Sequence, residues 1–210
     1  MMVAPALGVV SRVDALTRAL TRQVLRAEIA PGLAVSERFV CDEFSVARST
    51  ARVALERLVA SGLLSRAANK SARIPVFDLA DARDLYFARE LLECEALSSI
   101  AEYGHVKDAV RLSFAHFDRR AAVEGIHGAL DADMDFHSAL IGSTGSSRLA
   151  RMHARLINEC RLFLSQHKMP VGLSLEKIRA ERAELLAALE ERNVHKVRTL
   201  VSAHFSFLWS

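Results

Sequence analysis

The chain has little that would tie it to an oxidising compartment or a membrane. Its 210 residues include only three cysteines, Cys41, Cys94 and Cys160, far apart and without CxxC spacing. That odd, scattered set argues against a disulfide framework and reads as reduced, mostly buried thiols of a cytoplasmic protein. No apolar run reaches the about 18 residues that a membrane span requires. Residues 1–10 are mildly apolar, but no basic region precedes them and they are too short for a signal peptide, so they read as a loose tail. Internal repeats are absent and no nucleophile–base pair is evident, which leaves an enzyme reading without a motif.

Aromatics make up only 6% of the chain, while Ala, Leu, Arg and Glu are abundant, a mixture that favours helices. With 51% hydrophobic and 25% charged residues, the chain can bury a core and is not disordered. Its length suits two small domains or one larger one. The net charge of +3 is unevenly spread: residues 1–77 carry 11 Lys and Arg against 6 Asp and Glu, and residues 78–210 carry 17 against 19. A basic first third beside a near-neutral remainder suggests that the first part meets a polyanion.

Along the chain, Val13, Leu16, Leu20, Val24 and Leu25 give helical spacing over Arg12 to Ala27, stopped by Pro31-Gly32. Ser36 is placed to cap a short helix containing Phe39 and Val40. A third helix is expected from about Ala47 to Ala60, with Ala51, Ala54, Leu55 and Leu58 inward and Gly62 at its end. Leu63–Arg66 and Ala72–Phe77 flank the polar stretch Ala68-Asn69-Lys70-Ser71 and read as a β-hairpin. Six helices are expected thereafter, near 80–103, 106–123, 129–142, 146–167, 174–191 and 193–208. The fold class is therefore mainly α: residues 11–77 form a winged helix-turn-helix of three helices and a hairpin wing, and residues 78–210 form an antiparallel all-α bundle.

In a winged helix-turn-helix the second helix of the pair enters the major groove. Here that helix begins Ala47-Arg48-Ser49-Thr50-Ala51-Arg52. Arg48 and Arg52 are four apart and share a face. Arginine contacts guanine O6 and N7 or clamps phosphate, and Ser49 and Thr50 suit phosphate oxygens. Arg38, Lys70 and Arg73 are further candidates for backbone contacts.

The stretch Ile29–Arg38, with Pro31-Gly32 and Glu37-Arg38, then Phe44–Leu58 and Gly62-Leu63-Leu64, resembles the GntR family of regulators. Its two motif arginines fall on Arg48 and Arg52, and the upstream arginine on Arg38. The motif's Ser, Pro, second Val and Glu are here Ala47, Thr50, Ala51 and Val53, and the wing-tip glycine is Ser71, so the resemblance does not by itself fix the operator sequence. The resemblance extends to the FCD ligand domain of the FadR-like subfamily in its shorter, VanR-like form. It rests on Asp84–Glu93, on Asp131-Ala132-Asp133-Met134-Asp135-Phe136-His137-Ser138-Ala139-Leu140, and on Ala203-His204-Phe205.

The resemblance implies a homodimer on an inverted-repeat DNA operator, with repression relieved when a small organic acid or other anionic effector changes the geometry of the two heads. It also implies a divalent metal, Zn, Ni or Mn, held by an Asp, a His four residues later and two further His. Asp133, His137 and His204 match three of these ligands, but the remaining His position is Arg182. Arg182 lies in the apolar stripe of Ile178, Leu185, Leu186 and Leu189 and should point inward, where a guanidinium cannot ligate a cation. A metal-free site is expected, with Arg182 paired to Asp133 or to an effector anion; a three-ligand metal site is the alternative. Arg89 shares an inward stripe with Leu85, Leu92 and Ala96, and is read as an effector contact or as the partner of Glu93. The expected effector set is Arg89, Asp133, His137, Arg182 and His204. His105, His116, His127, His153, His167 and His195 read as surface or loop residues, and Trp209 as packing. Two other readings compete: a protein-interaction module that has lost DNA binding, and a metal-dependent enzyme housed in the bundle.

Overall fold

The computed structural model describes residues 11–167 and 174–206; the expected tail and Trp209 lie outside them. The chain divides into two compact units between Val76 and Phe77. Among the described residues, no helix is long and apolar enough to cross a membrane.

The first unit contains α1 (Arg12–Leu25), β1 (Ala34–Val35), α2 (Glu37–Phe44), α3 (Arg48–Ala60) and β2 (Ala72–Arg73). α1 starts at Ser11, whose hydroxyl accepts from the Asp14 amide, and it buries Leu16, Leu20 and Val24, one residue per turn. These meet the buried Ala51, Ala54, Leu55 and Leu58 face of α3, where small residues let the helices approach. An Arg57–Asp14 ion pair ties the same two helices at 2.5 Å. Ser36 caps α2 through the Phe39 amide, as expected. The turn into α3 passes through Ser45 at φ 50°, and α3 is followed by Gly62 at φ 83°.

α3 begins at Ala47, which offers no side-chain cap to the free amides of the first turn. Ala47→Ser is therefore expected to stabilise this unit by about 1 kcal/mol. A denaturant midpoint no higher than that of the parent would contradict it.

The expected hairpin is present but short. The arms at Ser65 and Arg73 meet through one bridge, with both amides donating across it at 2.8 Å. The regular pairing is instead β1 with β2, antiparallel, placing Ala34 opposite Arg73 and Val35 opposite Ala72. Gly32 and Leu33 extend this pairing to Ile74, which they meet through backbone bonds of 3.0 and 3.1 Å. Burial of Val35, Ala72 and Ile74 holds the register.

The second unit contains α4 (Leu79–Tyr103), α5 (Asp108–Ser143), α6 (Ser147–Gln166), α7 (Leu175–Glu190) and α8 (Val194–Phe205). Asp78 and Asp81 form a reciprocal capping box at the start of α4. The two helices expected near 106–123 and 129–142 are the arms of α5, broken at Gly125 with φ 62° and ψ −146°. Gly128 follows because a Cβ there would lie 2.4 Å from the Arg120 carbonyl oxygen. Among the described residues the six expected helices are thus present, two of them joined end to end at Gly125 within α5.

Side-chain pairs give the helix directions. Glu95 with Arg198, Glu90 with Ser202 and Tyr86 with Phe205 run α4 and α8 antiparallel. Glu93 with His153 and Arg89 with Cys160 do the same for α4 and α6. The core between them includes Leu97, Leu140, Ile157, Leu185, Val197 and Phe205.

Candidate functional site

Each unit brings expected residues together. In the first, Arg48 and Arg52 lie on the exposed first turns of α3, and one carboxylate joins them. Glu37 Oε2 accepts from Arg48 Nε at 2.6 Å, and Oε1 from Arg52 Nε at 2.9 Å. The guanidiniums of Arg52 and then Arg48 pull the Glu37 carboxyl down to about 2, so it is ionised at neutral pH. Arg48 remains 78% exposed and Arg52 54%, so a polyanion can reach both. Ser49 is exposed and Thr50 half-buried beside them. Arg38 projects from α2 and meets Asp42 at 3.6 Å. Lys70 is exposed at the tip of the wing, next to Asn69 at φ 58°. Arg73 donates to the Gly32 carbonyl oxygen at 3.0 Å and is part of the wing's own frame.

In the second unit, Arg89, Asp133, His137 and Arg182 are all buried, and His204 nearly so. α5 presents Asp133 and His137 one turn apart. Arg182 from α7 donates through Nε to Asp133 Oδ1. Its Nη1 and Nη2 lie 3.3 and 3.2 Å from Nδ1 and Nε2 of His204 on α8. The His137 and His204 rings stack at 5.2 Å. Arg89 joins this group through Glu93: Arg89 Nε donates to Glu93 Oε1 at 3.0 Å, and His137 Nδ1 meets Oε2 at 2.5 Å. The Arg89 guanidinium also lies over the Tyr86 and Phe205 rings, at 5.5 and 5.2 Å. Among the described residues, two polar atoms in this group have no hydrogen-bond partner, Arg89 Nη2 and His137 Nε2.

The electrostatics follow the pairing. Burial opposes ionisation of Glu93, but Arg89 and His137 hold its carboxyl well below the usual range. Burial likewise opposes ionisation of Asp133, and Arg182 overrides it. Burial pushes His137 down against the pull of Glu93, with Arg182 adding to the fall. Burial, and then Arg182, push His204 down to about 4. Both imidazoles are therefore neutral at pH 7.

Three participants lay outside the expected set. His153 is not a surface residue: it is buried, and its Nε2 lies 2.9 Å from Glu93 Oε1. Its spacing with the buried Ile157 and Cys160 was the available signal. Glu93, four residues after Arg89, is the hub of the cluster rather than a bystander. Glu181 reaches His204 Nδ1 at 3.2 Å from the rim. Of the other histidines, His105, His116, His127 and His195 are exposed, while His167 is partly buried against the Phe163 carbonyl.

Comparison with known proteins agrees with this two-part organisation. The family "Bacterial regulatory proteins, gntR family" matches residues 12–74, and the FCD domain family matches residues 84–207. The chain is 29% identical to the HTH-type transcriptional regulator BphR of Paraburkholderia xenovorans (strain LB400), across 89% of this chain and 82% of that protein. It is 23% identical to the HTH-type transcriptional repressor RspR of Escherichia coli (strain K12), with the same two coverages of 89% and 82%. The crystal structure of a GntR transcriptional regulator from Rhodococcus sp. RHA1 superposes with a TM-score of 0.78 at 25% identity, covering 93% of this chain and 94% of that one.

Proposed function

The chain belongs to the GntR family of bacterial regulatory proteins and carries an FCD effector-binding domain behind its DNA-binding domain; from that premise we propose that it is a homodimeric, cytoplasmic repressor released from DNA by a small organic acid. In this reading two copies bind an inverted repeat, because a two-fold protein reads a two-fold site. Arg48 and Arg52 contact base edges and phosphates in the major groove. Ser49 and Thr50 contact phosphates, while Arg38, Lys70 and Arg73 reach the backbone on either side.

One observation supports the effector half above the others. Arg89 Nη2 is a fully buried donor without an acceptor among the described residues. Leaving such a donor unsatisfied costs about 1–3 kcal/mol, and an effector carboxylate supplies the missing acceptor. Asp133, His137, Arg182 and His204 complete the surroundings of the bound acid. The acid must bind the DNA-bound and released forms unequally, or the operator equilibrium does not move.

Selection from a random duplex library supplies the operator, and small organic acids are then screened for release of the protein from it. Arg89→Lys keeps a cation beside Glu93 but removes Nη2. The variant is expected to hold the operator and to need at least about 10-fold more acid for release, as the loss of one charge-assisted bond implies. Equal release of parent and variant by the same acid would remove Arg89 from the effector site. Failure to enrich any duplex would remove the DNA-reading roles given to Arg48 and Arg52.

A further inference from the structure

Asp133, His137 and His204 each offer a ligand atom, and these atoms lie within 4.8 Å of one another. That is the donor set a divalent ion would take. The residues around it do not fit such an ion. The Asp133 oxygen nearest His137, 3.7 Å from its Nε2, is the one that accepts from Arg182 Nε. The two terminal nitrogens of the same guanidinium face both ring nitrogens of His204. Two of the three donors are therefore already met by a cation, and arginine does not surrender its proton to make room.

Charge balance leads to the same conclusion. The buried centre holds two guanidiniums, Arg89 and Arg182, and two carboxylates, Glu93 and Asp133. A third carboxylate, Glu181, is 36% exposed at the rim and lies 3.6 Å from Arg182 Nη1. A dication entering this centre would bring a charge that the buried carboxylates have already spent on the arginines.

We infer that Arg182 is a built-in replacement for a metal ion, and that it alone keeps Asp133, His137 and His204 from forming a divalent-metal site. The guanidinium neutralises Asp133 and fixes the His204 ring, which are the two structural tasks an ion would perform there. The rest of the site remains prepared for a cation. His137 Nδ1 is committed to Glu93, which leaves the Nε2 lone pair turned away from that carboxylate, 3.7 Å from Asp133 Oδ1 and without a hydrogen bond among the described residues. A carboxylate behind an imidazole with its far nitrogen open is the arrangement that orients a ligating histidine. Arg182→His would remove a positive charge and add a fourth donor. The imidazole Nε2 stands as many bonds from Cα as the arginine Nε that now touches Asp133. The inference goes beyond the effector reading and does not depend on it.

The test compares the full-length parent, Arg182→His and Arg182→Gln. Each is dialysed against zinc, nickel or manganese without DNA or organic acid, analysed for metal by mass spectrometry, and titrated with the same ions by calorimetry. The parent is expected to hold far less than one ion per chain, and its unfolding temperature should not respond to added metal. Arg182→His is expected to hold one ion per chain, to bind it about 100-fold more tightly than the parent, and to melt higher when loaded. Arg182→Gln, with three donors and no added ligand, should fall between them. A stoichiometric ion in the parent, lost in Asp133→Asn, would overturn the inference. So would a folded Arg182→His that binds no tighter than the parent. If Arg182→His does not fold, the parent's metal content and the Arg182→Gln titration decide the matter in the same sense.

Discussion

Arg48→Ala and Arg52→Ala are each expected to weaken operator binding by about 10–100-fold, the value of one bidentate arginine contact. The double variant should lose more than the product of the two. Glu37 is ionised and joined to both guanidiniums. With both arginines gone, its carboxylate faces the phosphates uncompensated, so the double variant loses two attractions and keeps a repulsion. Titration across a salt series separates the two kinds of contact. A phosphate contact lowers the slope of affinity against salt by about one when it is removed, whereas a base contact relaxes sequence preference instead. Operator binding that survives the double substitution would move DNA recognition away from the start of α3.

The second large effect lies in the bundle. Glu93→Ala is expected to destabilise the second unit by about 3–5 kcal/mol, the usual cost of leaving a buried charge without its partner. Glu93 serves three groups at once, Arg89, His137 and His153, and is almost wholly shielded from water. A loss of that size is a large part of the net stability of a small domain. Replacing Arg89 and Glu93 together with methionines should recover much of it, because the stranded guanidinium leaves with its carboxylate. A Glu93→Ala protein as resistant to denaturant as the parent would show that the network does not support the fold.

The same cluster sets an acid limit. His204 is held down to about 4 from its ordinary 6.5. As the pH falls below 6.5 the unfolded chain takes up this proton first, so the stability His204 contributes is complete above that pH and lost on the way to 4. The carboxyls of Asp133 and Glu93 are depressed as well, and their contribution is present above the ordinary carboxylate range and lost only in stronger acid. The denaturant midpoint should therefore begin to fall near pH 6.5 and fall again below pH 4, while His204→Gln makes the first part shallower and leaves the share of His137, which burial also holds down. A midpoint constant between pH 7 and 5 in the parent would contradict the assignment of a neutral His204.

Much of this molecule was legible in the sequence, because periodicity reports which face of a helix leaves water. The stripes Leu16–Leu20–Val24 and Ala51–Ala54–Leu55–Leu58 are buried as their spacing required. Arg182 is inside because it shares the apolar stripe of α7, and its pairing with Asp133 follows from the charge that burial would otherwise strand. The caps at Ser36 and Gly62 were equally visible, since each depends only on the residue and its immediate neighbours.

Most other contacts between distant segments, and very short elements, were not legible. A strand of two residues has no period to detect, and only the folded chain brings Ala34 and Val35 against β2 beside the short hairpin of the wing. Glycine at 125 and 128 marked an interruption, but whether the chain leaves the helix or bends within it depends on packing of the two arms of α5. His153 and Glu93 are 60 residues apart, and no local pattern says that they share a proton's distance. The sequence by itself determined the two-part organisation, the inward faces, and which charges had to be paired. The tertiary structure decided who pairs with whom, because a buried charge takes whichever opposite group the packing of helices brings within about 3 Å, and that geometry is written in no single segment.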